Sequence, residues 1–195
     1  MAKKESTFTN MVVTLVLVTG IAAAALGYVY DFTKAPIEAA KIKAQTEAIT
    51  QVLPEFDELG TSYKVLTEAG GDSIQLFPAF KGGELVGTAI STYTRLGFSG
   101  NISIMVGIDK DGNISGYSVL DHAETPGLGS KMDTWFRNPD PAKTKQNVIG
   151  KNPETTNLTV TKDGGDIDAI TASTISSRAF LDAIRRGYTA YEQKK

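Results

Sequence analysis

Ile102-Ser-Ile-Met-Val-Gly-Ile108, Asp109-Lys-Asp-Gly-Asn113 and Ile114-Ser-Gly-Tyr-Ser-Val-Leu120 follow one another without a break. Apolar and β-branched residues fill the two outer runs, and Asp-Gly supplies the positive φ of a tight turn between them. The same arrangement stands upstream, where Ile74–Phe80 and Leu85–Thr92 flank Lys81-Gly82-Gly83-Glu84. Each pair reads as an antiparallel hairpin. Strands placed apart in one sheet are the alternative, and adjacency favours the hairpin.

Further along, the pattern turns helical. Phe180, Ile184, Tyr188 and Tyr191 form one apolar stripe along Ser176–Gln193, the clearest helix of this half. Met132–Arg137 is a short helical segment with the single Trp, and Asn138-Pro-Asp-Pro141 ends it. Asn147–Val160 is loop with room for one strand, and Ile167–Ile170 is a further candidate strand. The mixture predicts an α+β domain with a mainly antiparallel sheet and flanking helices.

The other end of the chain differs in kind. Ser6–Tyr30 holds 25 residues without a charge, and Met11–Tyr30 is almost wholly apolar. A 20-residue helix at ~1.5 Å per residue spans about 30 Å, the hydrocarbon thickness of a bilayer. Tyr28 and Tyr30 fall where amphipathic rings favour the interface. A cleavable signal peptide is the alternative, with Lys3 and Lys4 as its basic region. The apolar run exceeds the ~7–15 residues of a signal core, and no helix-breaking stretch precedes a cleavage site, so an uncleaved anchor is expected. Charges on the two flanks barely discriminate its orientation.

Asp31–Leu53 continues as helix, with Pro36 in an early turn, Ile37, Ala40, Ala44, Ala48 and Val52 at helical spacing, and Pro54 at its end. A flexible linker would be richer in Gly and Ser. The expected order is therefore a tail over 1–10, a transmembrane helix over 11–30, a helical stalk over 31–54 and a domain over 55–195.

Composition limits the chemistry. Across 195 residues there are 20 Lys+Arg against 22 Asp+Glu, one His and no Cys. The near-neutral balance excludes the basic footprint of a nucleic-acid binder. Without Cys there are no disulfides, thiolate nucleophiles or Cys-ligated clusters, and one His excludes a multi-His metal site within one chain. Redox chemistry would have to come from an organic cofactor or from another subunit. No catalytic side chain is assigned.

Two segments carry chemical interest. Asp168-Ala-Ile-Thr171-Ala172-Ser173-Thr174-Ile-Ser176-Ser177-Arg178 places five hydroxyls within seven residues at the start of the last helix. A helix N-terminus offers free N–H groups and the positive end of the macrodipole to a phosphate, and Arg178 could add a charge-assisted bond. Ordinary capping by Thr171, Ser173 or Thr174 is the plainer reading, although a cap requires one such residue. The second segment is Leu120-Asp-His122-Ala-Glu124-Thr125-Pro126-Gly127-Leu128-Gly129-Ser130-Lys131, running on from a predicted strand end. Pro-Gly favours a type II turn, and Gly129 permits close backbone approach. A plain connecting loop is the alternative. No G-x-G-x-x-G or P-loop pattern is present.

Together these segments resemble the FMN-binding domain found in the Rnf electron-transport complex, in its G subunit, and in the C subunit of the sodium-translocating NADH:quinone reductase. That family carries Asp-x-x-[Ser/Thr]-Gly-Ala-[Ser/Thr], whose last hydroxyl a flavin transferase joins to FMN as a phosphoester. The resemblance implies a transferase motif at Asp168, Thr171 and Thr174, with FMN on Thr174. The chain departs from the pattern at Ala172, where Gly is usual, and at Ser173, where Ala is usual. His122–Gly129 matches the second signature. The resemblance implies that His122, Glu124, Thr125, Gly127, Leu128 and Gly129 contact the cofactor together with Thr171, Ala172, Ser173 and Arg178, and that no metal is held.

It further implies a single-pass protein of the bacterial cytoplasmic (inner) membrane. The N-terminus would be cytoplasmic and the domain periplasmic or otherwise extracytoplasmic. Such a protein relays electrons among other membrane and redox subunits of an ion-translocating ferredoxin:NAD oxidoreductase, with a flavin transferase for maturation. It completes no reaction alone. At 195 residues the chain is more like the Rnf protein than its longer reductase relative. The quinone-reductase counterpart or a stand-alone FMN-domain protein is the first alternative, and a non-redox adaptor the second.

Overall fold

The computed structural model describes residues 7–66 and 73–194. Lys3 and Lys4, which bear on orientation, lie outside the described residues. The chain divides into two units, the second beginning at Ala44.

Helix α1 runs over Phe8–Val52, with Pro36 inside it. An 18-residue window of this helix has mean hydropathy 2.3 and is unburied, which makes it long and apolar enough to cross a membrane and supports membrane anchoring.

The second unit is built on one antiparallel sheet. Its strands are β1 (Glu58–Leu59), β2 (Tyr63–Leu66), β3 (Ser73–Lys81), β4 (Glu84–Gly97), β5 (Gly100–Asp109) and β6 (Ile114–His122). β3 to β6 lie side by side in chain order, and β1 and β2 both pair with the free edge of β3. Both expected hairpins form. β3 and β4 close through Gly82 and Gly83 at positive φ, and Asp109 accepts bonds from Asp111 and Asn113 in the turn between β5 and β6.

A third hairpin is not among those expected from the sequence. β4 and β5 continue past Thr94 and Ile102 and reverse at Phe98-Ser99, with Gly97 opposite Gly100. Gly100 has φ +110° there. β1 and β2 are also additions to the sequence reading.

Strand alternation gives the sheet two apolar faces. On one, Leu76, Ile90, Ile104 and Val106 meet Phe180, Leu181 and Ile184 of helix α3 (Thr174–Glu192) in the main core. Phe136 stacks on Phe180 with centroids 4.5 Å apart, and Tyr117 meets the same ring edge-on at 4.9 Å. On the other face, Ala79, Ala89 and Met105 are covered by Ala48, Ile49, Val52 and Leu53. Val52 sits so close that a Cβ built on Gly107 would fall 2.0 Å from its carbonyl oxygen. A Cβ on Gly116 would fall 2.8 Å from its Cα, and the Ser115 hydroxyl donates to its carbonyl at 2.6 Å.

Between β6 and α3 the chain is mostly irregular. Helix α2 covers only Met132–Trp135, preceded by a 3₁₀ turn over Gly129–Lys131. No strand forms at Ile167–Ile170 or within Asn147–Val160; Val160 and Ile167 make a single parallel bridge, and Asn147 bridges Arg137. Asn147 and Asn152 side chains accept backbone N–H groups two residues on, competing with a ladder, while buried Val148, Leu158, Val160, Ile167 and Ile170 fasten the segment to the core.

Candidate functional site

The connection after β6 folds first as a turn. The N–H of Leu128 donates to the Thr125 carbonyl at 3.1 Å, with Pro126 second in the turn and Gly127 third at φ +74°. That is the expected type II signature. The Gly127 N–H donates to the Ser130 hydroxyl at 2.9 Å, and the Glu124 N–H donates to His122 Nδ1 at 3.1 Å. His122 thus ends β6 by holding the backbone of the loop.

The hydroxyl-rich segment forms a second turn. The Ser173 N–H donates to the Ile170 carbonyl at 2.9 Å, with Ala172 third in the turn at φ +62°. Among the described residues Ala172 alone has positive φ without being glycine. This is the position where the resembled motif has Gly, so the backbone keeps the conformation that Gly favours. The Ser177 hydroxyl clamps the turn, donating to the Ser173 carbonyl and accepting the Ile170 N–H, each at 2.9 Å. The Trp135 indole donates to the Asp168 carbonyl at 3.0 Å, and Thr161 donates to the Asp168 carboxylate at 3.1 Å.

The five hydroxyls divide by role. Ser176 and Ser177 are buried and hydrogen-bonded. Ser173 occupies the N-cap position of α3, yet its side chain makes no capping bond. Thr171 is exposed. Thr174 is half-buried, at the first position of α3, and among the described residues nothing hydrogen-bonds to its hydroxyl. Capping therefore does not account for the cluster.

The two turns face each other across a cavity of about 350 Å³. Glu124, Thr125, Leu128 and Gly129 line one side; Ala172, Ser173 and Thr174 line the other, with Ile175 and Ser176. Phe98, from the β4–β5 turn, completes the wall. Among the described residues Glu124 is the only ionisable one in its lining. Phe98, Leu128 and Ile175 are exposed at 68%, 39% and 48%, so apolar side chains stand open to an occupant.

Not every expected residue reaches the cavity. His122, Gly127, Thr171 and Arg178, expected at the cofactor, are outside its lining, and so is Asp168, expected only in the transferase motif. Arg178 instead forms a bidentate pair with Asp163 at 2.7 and 2.8 Å. That guanidinium holds the Asp163 carboxyl below the usual carboxylate range. The two glycines also differ in role. A Cβ on Gly127 would meet nothing within 4 Å, so this glycine serves the turn. A Cβ on Gly129 would fall 2.6 Å from Ser176 Oγ and 2.7 Å from Glu124 Oε2, so its bare backbone makes room for these protein groups. Phe98, Ile175 and Ser176 are lining residues that sequence reasoning misses. Phe98 carries no local signal, whereas Ser176 lies inside the hydroxyl cluster.

A model of the FMN-binding domain family matches residues 97–189, a span that contains the whole cavity lining. The domain is thus of the FMN-binding class. Over most of its length the chain also aligns with the G subunit of the ion-translocating oxidoreductase complex. With that of Aliivibrio fischeri it is 34% identical across 183 residues, covering 88% of this chain and 85% of that one. With that of Methanosarcina acetivorans it is 32% identical over 181 residues, covering 90% of each. The chain belongs to this family of ion-translocating oxidoreductase G subunits.

Proposed function

We propose that this chain is a membrane-anchored flavoprotein that carries FMN as a phosphoester on Thr174 and relays electrons within an ion-translocating oxidoreductase complex of the Rnf type. The observation that carries the proposal is the cavity that joins the two signature segments around the half-buried Thr174, whose hydroxyl makes no hydrogen bond among the described residues. The residues fit the cofactor. Thr174 at the first turn of α3 leaves neighbouring backbone N–H groups free for a phosphate. Phe98, Leu128 and Ile175 offer apolar surface to a flat ring, at a cavity volume in the lower range of ligand sites, roughly 300–1,000 Å³.

FMN exchanges one or two electrons on its own ring, so the protein's contribution is binding, orientation and electrostatics. Thr174 would provide the ester oxygen. The clamp from Ser177 and the bond from Trp135 hold the motif segment in one conformation. Asp168, Thr171 and Thr174 would form the motif read by a flavin transferase. Helix α1 would anchor the chain in the bacterial cytoplasmic membrane, with the N-terminus cytoplasmic, the domain outside, and the other subunits of the complex as neighbours.

Peptide mass spectrometry of the Asp168–Arg178 segment after expression with a flavin transferase tests the assignment. The unaltered chain should carry one FMN on Thr174, and Thr174→Val, which keeps the shape but removes the oxygen, should carry none. Thr174→Ser should retain at least part. Because Thr174 lies inside α3 rather than at its N-cap and its hydroxyl has no partner among the described residues, Thr174→Val should cost under about 1 kcal/mol of stability. FMN mapped to Ser173, or full loading of Thr174→Val, would defeat the proposal.

A further inference from the structure

Glu124 is a carboxylate 5% exposed, at the junction of three segments. Its Oε1 accepts the N–H of Ser99 in the β4–β5 turn at 2.9 Å, and its Oε2 accepts the Ser176 hydroxyl of α3 at 2.5 Å. Neither partner is charged. Two glycines from different elements leave it space: a Cβ on Gly97 would fall 2.7 Å from Oε1, and one on Gly129 would fall 2.7 Å from Oε2. Glu124 also lines the cavity. A formal charge in a part-apolar wall, whose donors among the described residues are two neutral groups, acts strongly on whatever lies beside it.

We infer that Glu124 is a positioning residue that also sets the reduction potential of the flavin, holding the Phe98 turn, the Thr125–Leu128 turn and the start of α3 around the cavity while its charge opposes reduction of the ring. The inference rests on the FMN reading above. In the test reaction two electrons come from an electrode and one proton from solvent, so the ring gains one net negative charge. A neighbouring carboxylate disfavours that product relative to the neutral oxidised ring and lowers the potential. Glu124→Gln removes the charge and keeps the shape. Its amide oxygen can still accept from Ser99, and the Ser176 hydroxyl can turn to accept from its NH₂.

The experiment is anaerobic spectroelectrochemistry of the full-length flavinylated protein. Glu124→Gln should raise the two-electron reduction constant about tenfold or more, equivalent to about 30 mV or more. Ser176→Ala leaves the carboxylate and removes one compensating donor, so its potential should move down. An unchanged potential in Glu124→Gln, or an upward shift in Ser176→Ala, would overturn the inference, the latter by assigning the effect to loosened packing. If Glu124→Gln does not fold, Ser176→Ala decides alone: a downward shift supports the inference, and no shift or an upward one overturns it. Absence of FMN mass on the unaltered protein would defeat both this inference and the proposed function. A loaded protein whose potential ignores Glu124 would defeat this inference alone.

Discussion

Ala172 shows how one side chain can sit against the preference of its backbone. Its φ of +62° is left-handed, a conformation that costs an L-residue roughly 1–2 kcal/mol, while the turn is held by Ser177 from behind. Ala172→Gly should relieve that strain, with part of the gain offset by a freer unfolded chain, for a net gain of up to about 1 kcal/mol. For a protein of this size that corresponds to a rise of about 2–4 °C in Tm, measurable by thermal unfolding. Ala172→Val, which brings a branched Cβ into the same conformation, should lower Tm. A fall in Ala172→Gly would mean that the methyl group contributes more through contact than the backbone loses. At this scale part is legible in the sequence: the Thr125–Leu128 turn, the positive φ at Gly127 and the hydroxyl at Thr174 follow from residue type, whereas the Ile170–Ser173 turn does not, because an alanine at position 172 gives no sign of a left-handed backbone. The partners of Glu124 do not, because Ser99 and Ser176 reach it only through tertiary contact.

Among the elements, α3 links core and cavity, since Phe180 and Ile184 are buried while its first residues line the site. Two tyrosines of the main core make its stability sensitive to alkali. Burial above all raises the pKa of Tyr117, and burial followed by the Glu192 charge pushes Tyr188 up to about 12. Both values exceed the ~10 of an unfolded tyrosine, so the folded state favours the protonated phenol. The contribution is intact below about pH 10 and is lost as pH rises from there towards 12. Circular dichroism melts between about pH 8 and 12 should show Tm falling above about pH 10; a flat Tm across that range would reject the linkage. The β3–β4 and β5–β6 hairpins are legible because Gly-Gly and Asp-Gly punctuate them. The β4–β5 hairpin is passed over although Gly97 and Ser99-Gly100 mark its turn, because Thr94-Arg95-Leu96 and the exposed Phe98 separate that turn from the apolar run ending at Thr92. The irregular stretch before α3 misleads for the opposite reason: short apolar runs such as Ile167–Ile170 look like strands but anchor side chains singly.

Across the whole molecule, the last turn of α1 belongs to the packing of the sheet. Ala48, Ile49, Val52 and Leu53 cover Ala79, Ala89 and Met105. Removing residues 1–43 should therefore yield a soluble, cooperatively folding domain. Removing residues 1–54 should lose roughly 1.5–3 kcal/mol for each large buried apolar side chain taken away and expose the sheet face. Comparing the two truncations by size-exclusion chromatography and denaturant unfolding checks this; equal stability would mean that the helix end is dispensable. Sequence alone reads the segment as a stalk because its spacing is uniformly helical and nothing in it marks where a second set of contacts begins. The cover has a consequence for descent. Gly107 and Gly116 face each other across β5 and β6 and are vacant of side chain where the Val52 backbone passes. A methyl group acquired at either glycine would displace a helix turn encoded far upstream, so the centre of the sheet and the end of the helix can diverge only in concert.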